Sequence, residues 1–327
     1  MTRLPRLPRP PLSAAPGTPA VPAPPRAADR VRTITTADGA ALRVLVRGPD
    51  DAPLTVVLGH GWTLGSSTWE RQTAALTDPA RPGPAVRVVR WEQRGHCGST
   101  LGTRPLGIDL LGDDLAAIID TLAPTGRLVL GGHSMGAMTI MALAAERPDL
   151  VRDRVAGVAL VATAAGRLDT SRPGFPLRAR ATGTAQRLIM GALARLPREA
   201  DRLRSLAPPR LGAHRAAVRR LLFGRDADPL RVRECAELVH GCPAAVVAGY
   251  YGPLMRHDMT ARLAALRDVD TVVLGGGADR LTPVRCARAL GRALPGAEVR
   301  ILPGLGHMLT VEAPDEVSGV LLRMCAA

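Results

Sequence analysis

The chain has 327 residues, enough for one large domain or for a core with an inserted subdomain, and its formal charge is +14. Such a charge would normally suggest nucleic acid or an acidic membrane surface as a partner. All 43 basic residues are Arg, however, and neither Lys nor Asn occurs, which indicates a coding bias that inflates the basicity.

The charge is distributed unevenly along the chain. Residues 1–30 and 166–260 carry net charges of +4 and +9, whereas 31–165 and 261–327 carry 0 and +1. A nucleic-acid footprint should cluster on a recognisable motif, and here the excess charge lies on a leader and on one central segment. We therefore expect no nucleic-acid partner.

Targeting and redox features are few. Residues 1–30 contain nine prolines and no continuous apolar run, which is typical of a disordered Pro/Arg-rich leader rather than a signal peptide. The five cysteines share no metal-ligand spacing, so we expect free thiols in a reducing cytoplasm. No run of 18 apolar residues predicts a transmembrane segment.

Strand and helix patterns alternate through much of the chain. In chain order, they predict a hairpin at 31–46, strands at 54–58, 86–91, 128–130, 155–162, 271–274 and 298–302, and helices at 69–76, 108–122, 137–145, 284–293 and 314–325. Strands that alternate with helices through short glycine-rich loops predict an α/β fold, with a mostly parallel central sheet and helices on both faces.

Residues 166–260 interrupt this alternation. They lack strand patterns and contain Arg-rich amphipathic helices, such as 185–196 and 213–223. A helical segment inserted between two strands predicts a cap over the carboxyl edge of the sheet, where such folds place their sites. The predicted organisation is thus a leader at 1–30, a core formed by 31–165 and 261–327, and a helical cap at 166–260.

The segment 127–147 carries the most informative motif. Between its strand and its helix lies Gly132–Gly136, which has the pattern G-x-S-x-G. Glycines on both sides allow a sharp turn that leaves Ser134 Oγ at its tip, and the N–H groups of the following helix favour developing negative charge. The pattern predicts a nucleophilic serine; the simpler interpretation is a glycine-rich turn with a capping serine.

A serine nucleophile needs a base, and the base needs an orienting acid. His307 lies in the glycine-rich loop after the last strand, and Asp279 follows the preceding strand. Their positions at successive strand ends favour these roles. The alternatives are a surface histidine and a turn or helix-capping carboxylate ahead of Pro283.

The motifs together resemble those of the α/β-hydrolase superfamily. The resemblance spans about residues 31–165 and 258–327 and is carried by His60–Trp62, Arg94–His96, Gly132–Gly136, Gly277–Asp279 with Thr282-Pro283, and Gly306-His307 with Glu312 and Pro314. It implies the α/β-hydrolase fold, a catalytic triad of Ser134, Asp279 and His307, and an oxyanion hole formed by the backbone N–H groups of Trp62 and Met135. Glu92 and Cys97 depart from the pattern, since relatives usually have Asp and Gly there.

The resemblance implies a lipase-like serine esterase that cleaves carboxylic esters or thioesters of a small-molecule substrate through an acyl-enzyme, without metal or cofactor. It equally allows perhydrolysis (cofactor-free haloperoxidase activity), lactone opening, C–C bond hydrolysis and acyl transfer. A ligand-binding protein on a hydrolase scaffold is the alternative from another class. The apolar faces of the cap helices predict an apolar acyl pocket over the serine, formed by Ile189, Leu193, Leu196, Val218, Leu221 and Leu222.

Overall fold

The computed structural model describes residues 29–171, 177–206 and 212–326. The prediction of a leader falls almost wholly on residues outside these ranges. None of the helices in the described ranges combines the length and the apolar character that crossing a bilayer requires. The five cysteines are all buried and free, as their spacing predicts.

The strands of the described residues form one eight-stranded sheet in the order β1-β2-β4-β3-β5-β6-β7-β8. The strands are β1 Arg30–Thr35, β2 Ala41–Arg47, β3 Leu54–Gly59, β4 Val86–Trp91, β5 Arg127–His133, β6 Val155–Val161, β7 Asp270–Gly276 and β8 Glu298–Leu302. The pairs β1–β2 and β2–β4 are antiparallel, and the other neighbours are parallel. The predicted α/β fold with a mostly parallel sheet is confirmed.

Helices connect most of the strands. They are α1 Glu70–Leu76, α2 Ile108–Leu122, α3 Met135–Glu146, α4 Pro148–Arg154, α5 Leu177–Arg195, α6 Pro197–Ser205, α7 Gly212–Leu222, α8 Pro229–Gly241, α9 Ala244–Arg256, α10 Val284–Ala293, α11 Leu309–Glu312 and α12 Pro314–Ala326. On one face α2, α3 and α10 share an apolar core, and on the other α1 and α12 share a second.

The two cores receive alternate side chains from the sheet. Val57 of β3 enters the first core, while its neighbours Val56 and Leu58 enter the second. Because successive strand residues point to opposite faces, a strand covered on both sides is apolar throughout, as β3 is. The parallel strands β3 to β7 therefore form the buried middle of the molecule, and the edge strand β8 is half-buried. The parallel strands β3 to β8 bring their carboxyl ends to one edge of the sheet.

Strand β5 extends beyond its predicted end at Leu130. Gly131 and Gly132 continue to pair with β3 and β6, although glycine weakens the strand pattern in the sequence. A Cβ atom on Gly131 would lie 2.7 Å from Leu58 Cδ2, so the close packing of this strand requires glycine. The sequence therefore predicts too early an end for β5, because the strand propensity of a residue does not depend on its packing against distant residues.

Between β6 and β7 the chain forms the helices α5 to α9. Gly166 and Asp258 pair as an isolated β-bridge, so the two ends of this helical segment lie side by side. Helices α5 and α6 both pack on α9. Val218 and Leu222 of α7 pack with Leu64 and Met308 in a third apolar cluster.

The expectation that six apolar residues of this segment form a pocket over the serine is wrong for three of them. Ile189, Leu196 and Leu221 are 58%, 57% and 50% exposed to solvent. Periodicity identifies which helix face is apolar, but packing decides whether that face is covered. In α5 the apolar face is turned outward.

Candidate active site

Ser134 occupies the turn between β5 and α3. Its backbone has φ 53° and ψ −114°, a sparsely populated conformation that costs on the order of 1–3 kcal/mol. The surrounding structure holds it there: the Ser134 N–H donates to Val161 O (2.8 Å), and Thr163 Oγ1 donates to Ser134 O (2.9 Å). Ser134 is partly exposed, while both of its neighbours in the chain are buried.

The glycines around Ser134 are required by close backbone contact. A Cβ atom on Gly132 would collide with Ala137, and one on Gly136 would collide with the carbonyl oxygen of Gly59. The turn therefore packs directly against the end of β3. This contact explains why the predicted pattern needs glycine at both positions.

Asp279 and His307 form a buried pair at the ends of β7 and β8. His307 Nδ1 lies 2.8 Å from Asp279 Oδ2, which also accepts from Thr282 Oγ1 (2.7 Å). Asp279 Oδ1 accepts from the N–H groups of Leu281 (2.8 Å) and Thr282 (2.9 Å). Burial acts to raise the pKa of Asp279, but His307 and the Thr282 hydrogen bonds outweigh it and lower the pKa to about 2. The carboxylate is therefore ionised at neutral pH.

His133 connects the turn to the loop that carries His307. Its Nε2 lies 2.9 Å from the carbonyl oxygen of His307, and the two rings are 4.9 Å apart. A carbonyl oxygen can only accept, so Nε2 carries the proton. Burial, followed by repulsion from His307, lowers the pKa of His133 to about 3, so the ring is neutral. No local pattern in the sequence indicates this contact with a carbonyl oxygen.

His133, the residue before Ser134, contacts His307, but the described contacts include no hydrogen bond between Ser134 Oγ and His307. Catalytic hydrogen bonds are often long without substrate and tighten in the substrate complex. The sheet order explains the proximity, because β5, β7 and β8 all end at the same edge.

The loop after β3 lies against the same turn. A Cβ atom on Gly61 would be 2.8 Å from His133 Nδ1, so this loop follows the buried histidine closely. Met135 is the first residue of α3, and the first N–H groups of a helix have no partner within the helix. The backbone N–H groups of Trp62 and Met135 thus lie on two segments that touch.

Two further histidines hold the loop after β3. The Gln93 N–H donates to His60 Nε2 (2.9 Å), and the Thr63 N–H donates to His96 Nε2 (3.1 Å). Burial lowers the pKa of His60 far below its usual value and that of His96 to about 4. His60 Nε2 also lies 3.5 Å from Glu92, but a nitrogen that accepts a hydrogen bond carries no proton, so this contact is not an ion pair.

Glu92 and Cys97, which depart from the family pattern, lie in the segment after β4. Cys97 adopts φ 40°, in the left-handed region where glycine is favoured, so it occupies a glycine position under strain. Glu92 accepts from the Ser66 N–H (2.9 Å) and from Ser66 Oγ (2.5 Å). The longer Glu side chain thus anchors the short 3₁₀ turn that precedes α1.

Glu312 joins the helical segment to the loop of His307. Its carboxylate accepts from the N–H groups of Gly224 (2.6 Å), Gly306 (3.1 Å) and Met308 (3.1 Å). The His307 N–H in turn donates to Leu222 O (2.7 Å) at the end of α7. The sequence singles out Glu312 only through the family resemblance. The structure places it as the clamp between α7 and His307.

In the described ranges, no three His, Cys, Asp or Glu side chains lie close enough together to bind a metal ion.

Comparisons with known proteins identify the family and the fold. The family model described as "Alpha/beta hydrolase family" matches residues 56–320. The chain is 32% identical over 128 residues to the bifunctional esterase/perhydrolase DCH of Acinetobacter calcoaceticus, a match that spans 39% of this chain and 43% of that protein. It is 24% identical to the AB hydrolase superfamily protein YisY of Bacillus subtilis, over 82% of this chain and 90% of that one.

Among solved structures, a thermophilic esterase from Thermogutta terrifontis superimposes with a TM-score of 0.68 at 24% identity, covering 91% of this chain and 100% of that one. A likeness at this identity shows the fold. The chain belongs to the alpha/beta hydrolase family, and the fold implied by its motifs is confirmed.

Proposed function

We propose that this protein is a serine hydrolase that cleaves carboxylic esters or thioesters. The observation that carries the proposal is the buried Asp279–His307 pair, because His307 contacts His133, the residue before a serine held in a strained turn at a helix start. An ionised carboxylate bound to His307 Nδ1 fixes the tautomer whose Nε2 is a free acceptor. That tautomer is the one a serine nucleophile requires.

In the proposed reaction, Ser134 Oγ attacks the carbonyl carbon of the ester while His307 Nε2 takes its proton. Asp279 stabilises the imidazolium that forms, since its carboxylate is already ionised and desolvated. His307 then protonates the leaving alcohol or thiol. Water enters, loses its proton to His307 and hydrolyses the acyl-enzyme.

The developing oxyanion would be bound by the backbone N–H groups of Trp62 and Met135. Support comes from the contact between their two segments and from the position of Met135 at the start of α3. Donors that are already oriented toward the developing charge cost no reorganisation during the reaction. The His96 contact with the Thr63 N–H fixes the loop immediately after Trp62.

We further propose that residues 166–260 act as a cap and that the preferred substrates are apolar. Helix α7 is joined to the loop of His307 by the Glu312 clamp, and an apolar cluster that includes Met308 and Phe223 lies beside that loop. The name of the Acinetobacter relative, an esterase and perhydrolase, agrees with ester chemistry at such a site. Five free thiols suit a reducing compartment, so we propose a cytoplasmic location.

A fluorophosphonate probe tests the assignment of the nucleophile. The wild-type protein should react at Ser134, and Ser134→Ala should lose both the labelling and ester turnover, by on the order of 10⁶ in kcat. Ser205→Ala is the matched control, because Ser205 is an exposed serine on α6 outside the site. Labelling that persists in Ser134→Ala would refute the proposal.

A further inference from the structure

The exposed apolar surface of the described residues is concentrated on helices α5 and α6. Most large apolar side chains that are exposed lie between residues 177 and 221, namely Leu177, Leu188, Ile189, Leu196, Leu203, Leu206 and Leu221. Isolated exposed apolar residues need no explanation, but a group of them on one surface does.

On α5, exposed leucines and alanines form a continuous stripe. Leu177, Ala181, Ala185, Leu188 and Ala192 follow one another at intervals of three or four residues, and all are exposed. At the helical rise per residue, the stripe is roughly 22 Å long. Ile189 lies beside it with 58% exposure. The buried positions of α5, such as Gly183, lie on the other side of the helix.

Helix α6 continues the same surface. Leu196, the residue that precedes α6, and Leu203 within it are 57% and 71% exposed. Since α5 and α6 both pack on α9, their exposed residues belong to one outer surface of the helical segment. We call the exposed residues of α5 and α6 the outer helical surface.

Unpaired arginines accompany this apolar stripe. The described residues from 177 to 222 contain ten arginines and only two acids, Glu199 and Asp201. Arg187 pairs with Asp169, and Arg204 pairs with Asp201. Six further arginines are exposed and form no ion pair within the described part of the chain, namely Arg178, Arg180, Arg195, Arg202, Arg215 and Arg220.

We propose that the outer helical surface binds an anionic phospholipid bilayer. A helix that presents an apolar stripe flanked by arginines lies in the interface of a membrane, with the apolar side chains among the acyl chains and the cations at the headgroups. A second copy of the chain would bring the same positive charges together across the contact, which disfavours that occupant. The coding bias accounts for the number of arginines in the chain, but not for an apolar helix face that is turned to solvent.

The surface contains none of Ser134, Asp279 and His307. Membrane binding can therefore be tested independently of the proposed chemistry.

The test is co-sedimentation of the full-length protein with vesicles of phosphatidylcholine containing about one-third phosphatidylglycerol, compared with pure phosphatidylcholine. We expect binding to the anionic vesicles at low salt and its loss at high salt. Arg178→Gln combined with Arg195→Gln should lower the partition coefficient about 25-fold, since each arginine near such a surface contributes about fivefold. The control pair Arg71→Gln and Arg288→Gln removes the same charge from exposed positions elsewhere and should have little effect.

The apolar contribution is tested by Leu188→Asp combined with Ile189→Asp. We expect a loss of vesicle binding of more than roughly tenfold, with short-ester turnover in water unchanged. Leu230→Asp, at an exposed leucine of α8, is the control. The proposal fails if wild-type protein does not bind anionic vesicles or if the Leu188/Ile189 variant binds as well as wild type. A wild-type dimer that this variant dissociates would assign the surface to a second copy and also overturn the proposal.

Discussion

Replacing Asp279 by Asn tests the proposed role of the carboxylate most directly. In the wild-type structure Asp279 Oδ1 accepts two backbone N–H groups, while Oδ2 faces His307 Nδ1 at 2.8 Å. The two backbone donors fix the orientation of the substituted amide, because only its oxygen can accept from them. Its NH₂ group must then point at His307 Nδ1.

An NH₂ group in this position reverses the direction of the hydrogen bond to His307. It donates to Nδ1 and so stabilises the tautomer with the proton on Nε2, which cannot accept the proton of Ser134. Such an exchange of tautomer lowers kcat by about 10⁴, which corresponds to about 5 kcal/mol in the activation barrier. The Thr282 hydroxyl can rotate to accept from the new amide, so the variant should remain folded.

The assay is kcat/KM with a p-nitrophenyl ester, together with urea unfolding to check the fold. Thr282→Val removes one hydrogen bond to the carboxylate without changing the tautomer, and should cost about fivefold or less. Asp228→Asn is the matched control, since Asp228 also accepts from the N–H two residues ahead, in a turn without a histidine partner. An Asp279→Asn enzyme within tenfold of wild type would refute this assignment.

Further predictions concern the buried histidines and the clamp. Stability should decrease as the pH falls below about 6.5, because the unfolded state then binds protons that neutral buried histidines such as His96, with a pKa of about 4, do not. In His96→Gln, the slope of unfolding free energy against pH between pH 5 and 6 should be shallower by up to about 1.4 kcal/mol per unit, measured by urea titration; an unchanged slope would contradict this. Glu312→Gln puts an NH₂ group against a backbone N–H of Gly224 or Met308, so it should destabilise the protein by about 1–3 kcal/mol and lower kcat more than it raises KM. A variant with wild-type stability and kcat would show that the clamp is dispensable.

Much of the core could be predicted because its patterns are local. The strand at Val86–Trp91 and the helix at Ile108–Leu122 have the predicted bounds, since a short valine-rich strand pattern and a helical period both depend on neighbouring residues alone. Strand β5 was underestimated because Gly131 and Gly132 have poor strand propensity. Their pairing is determined by packing against Leu58 and Ala137, which are distant or lie beyond the turn.

The sequence predicts only part of the candidate site, because some contacts in the site join residues that are far apart in the chain. The sequence predicts that Asp279 and His307 follow successive strands, and the structure places Asp279 Oδ2 2.8 Å from His307 Nδ1. The roles of Ser134, Trp62 and Met135 stay predictions until the chemistry is measured. The contact of His133 with the His307 carbonyl lies across 174 residues of chain, so no local pattern could report it.

The backbone of Ser134 also bears on the stability of the fold. At φ 53° and ψ −114° glycine is less strained than serine, because glycine has no side chain that clashes with the backbone. The serine therefore costs stability that glycine would restore, and the proposed chemistry, which needs the hydroxyl group, gives a reason for that cost.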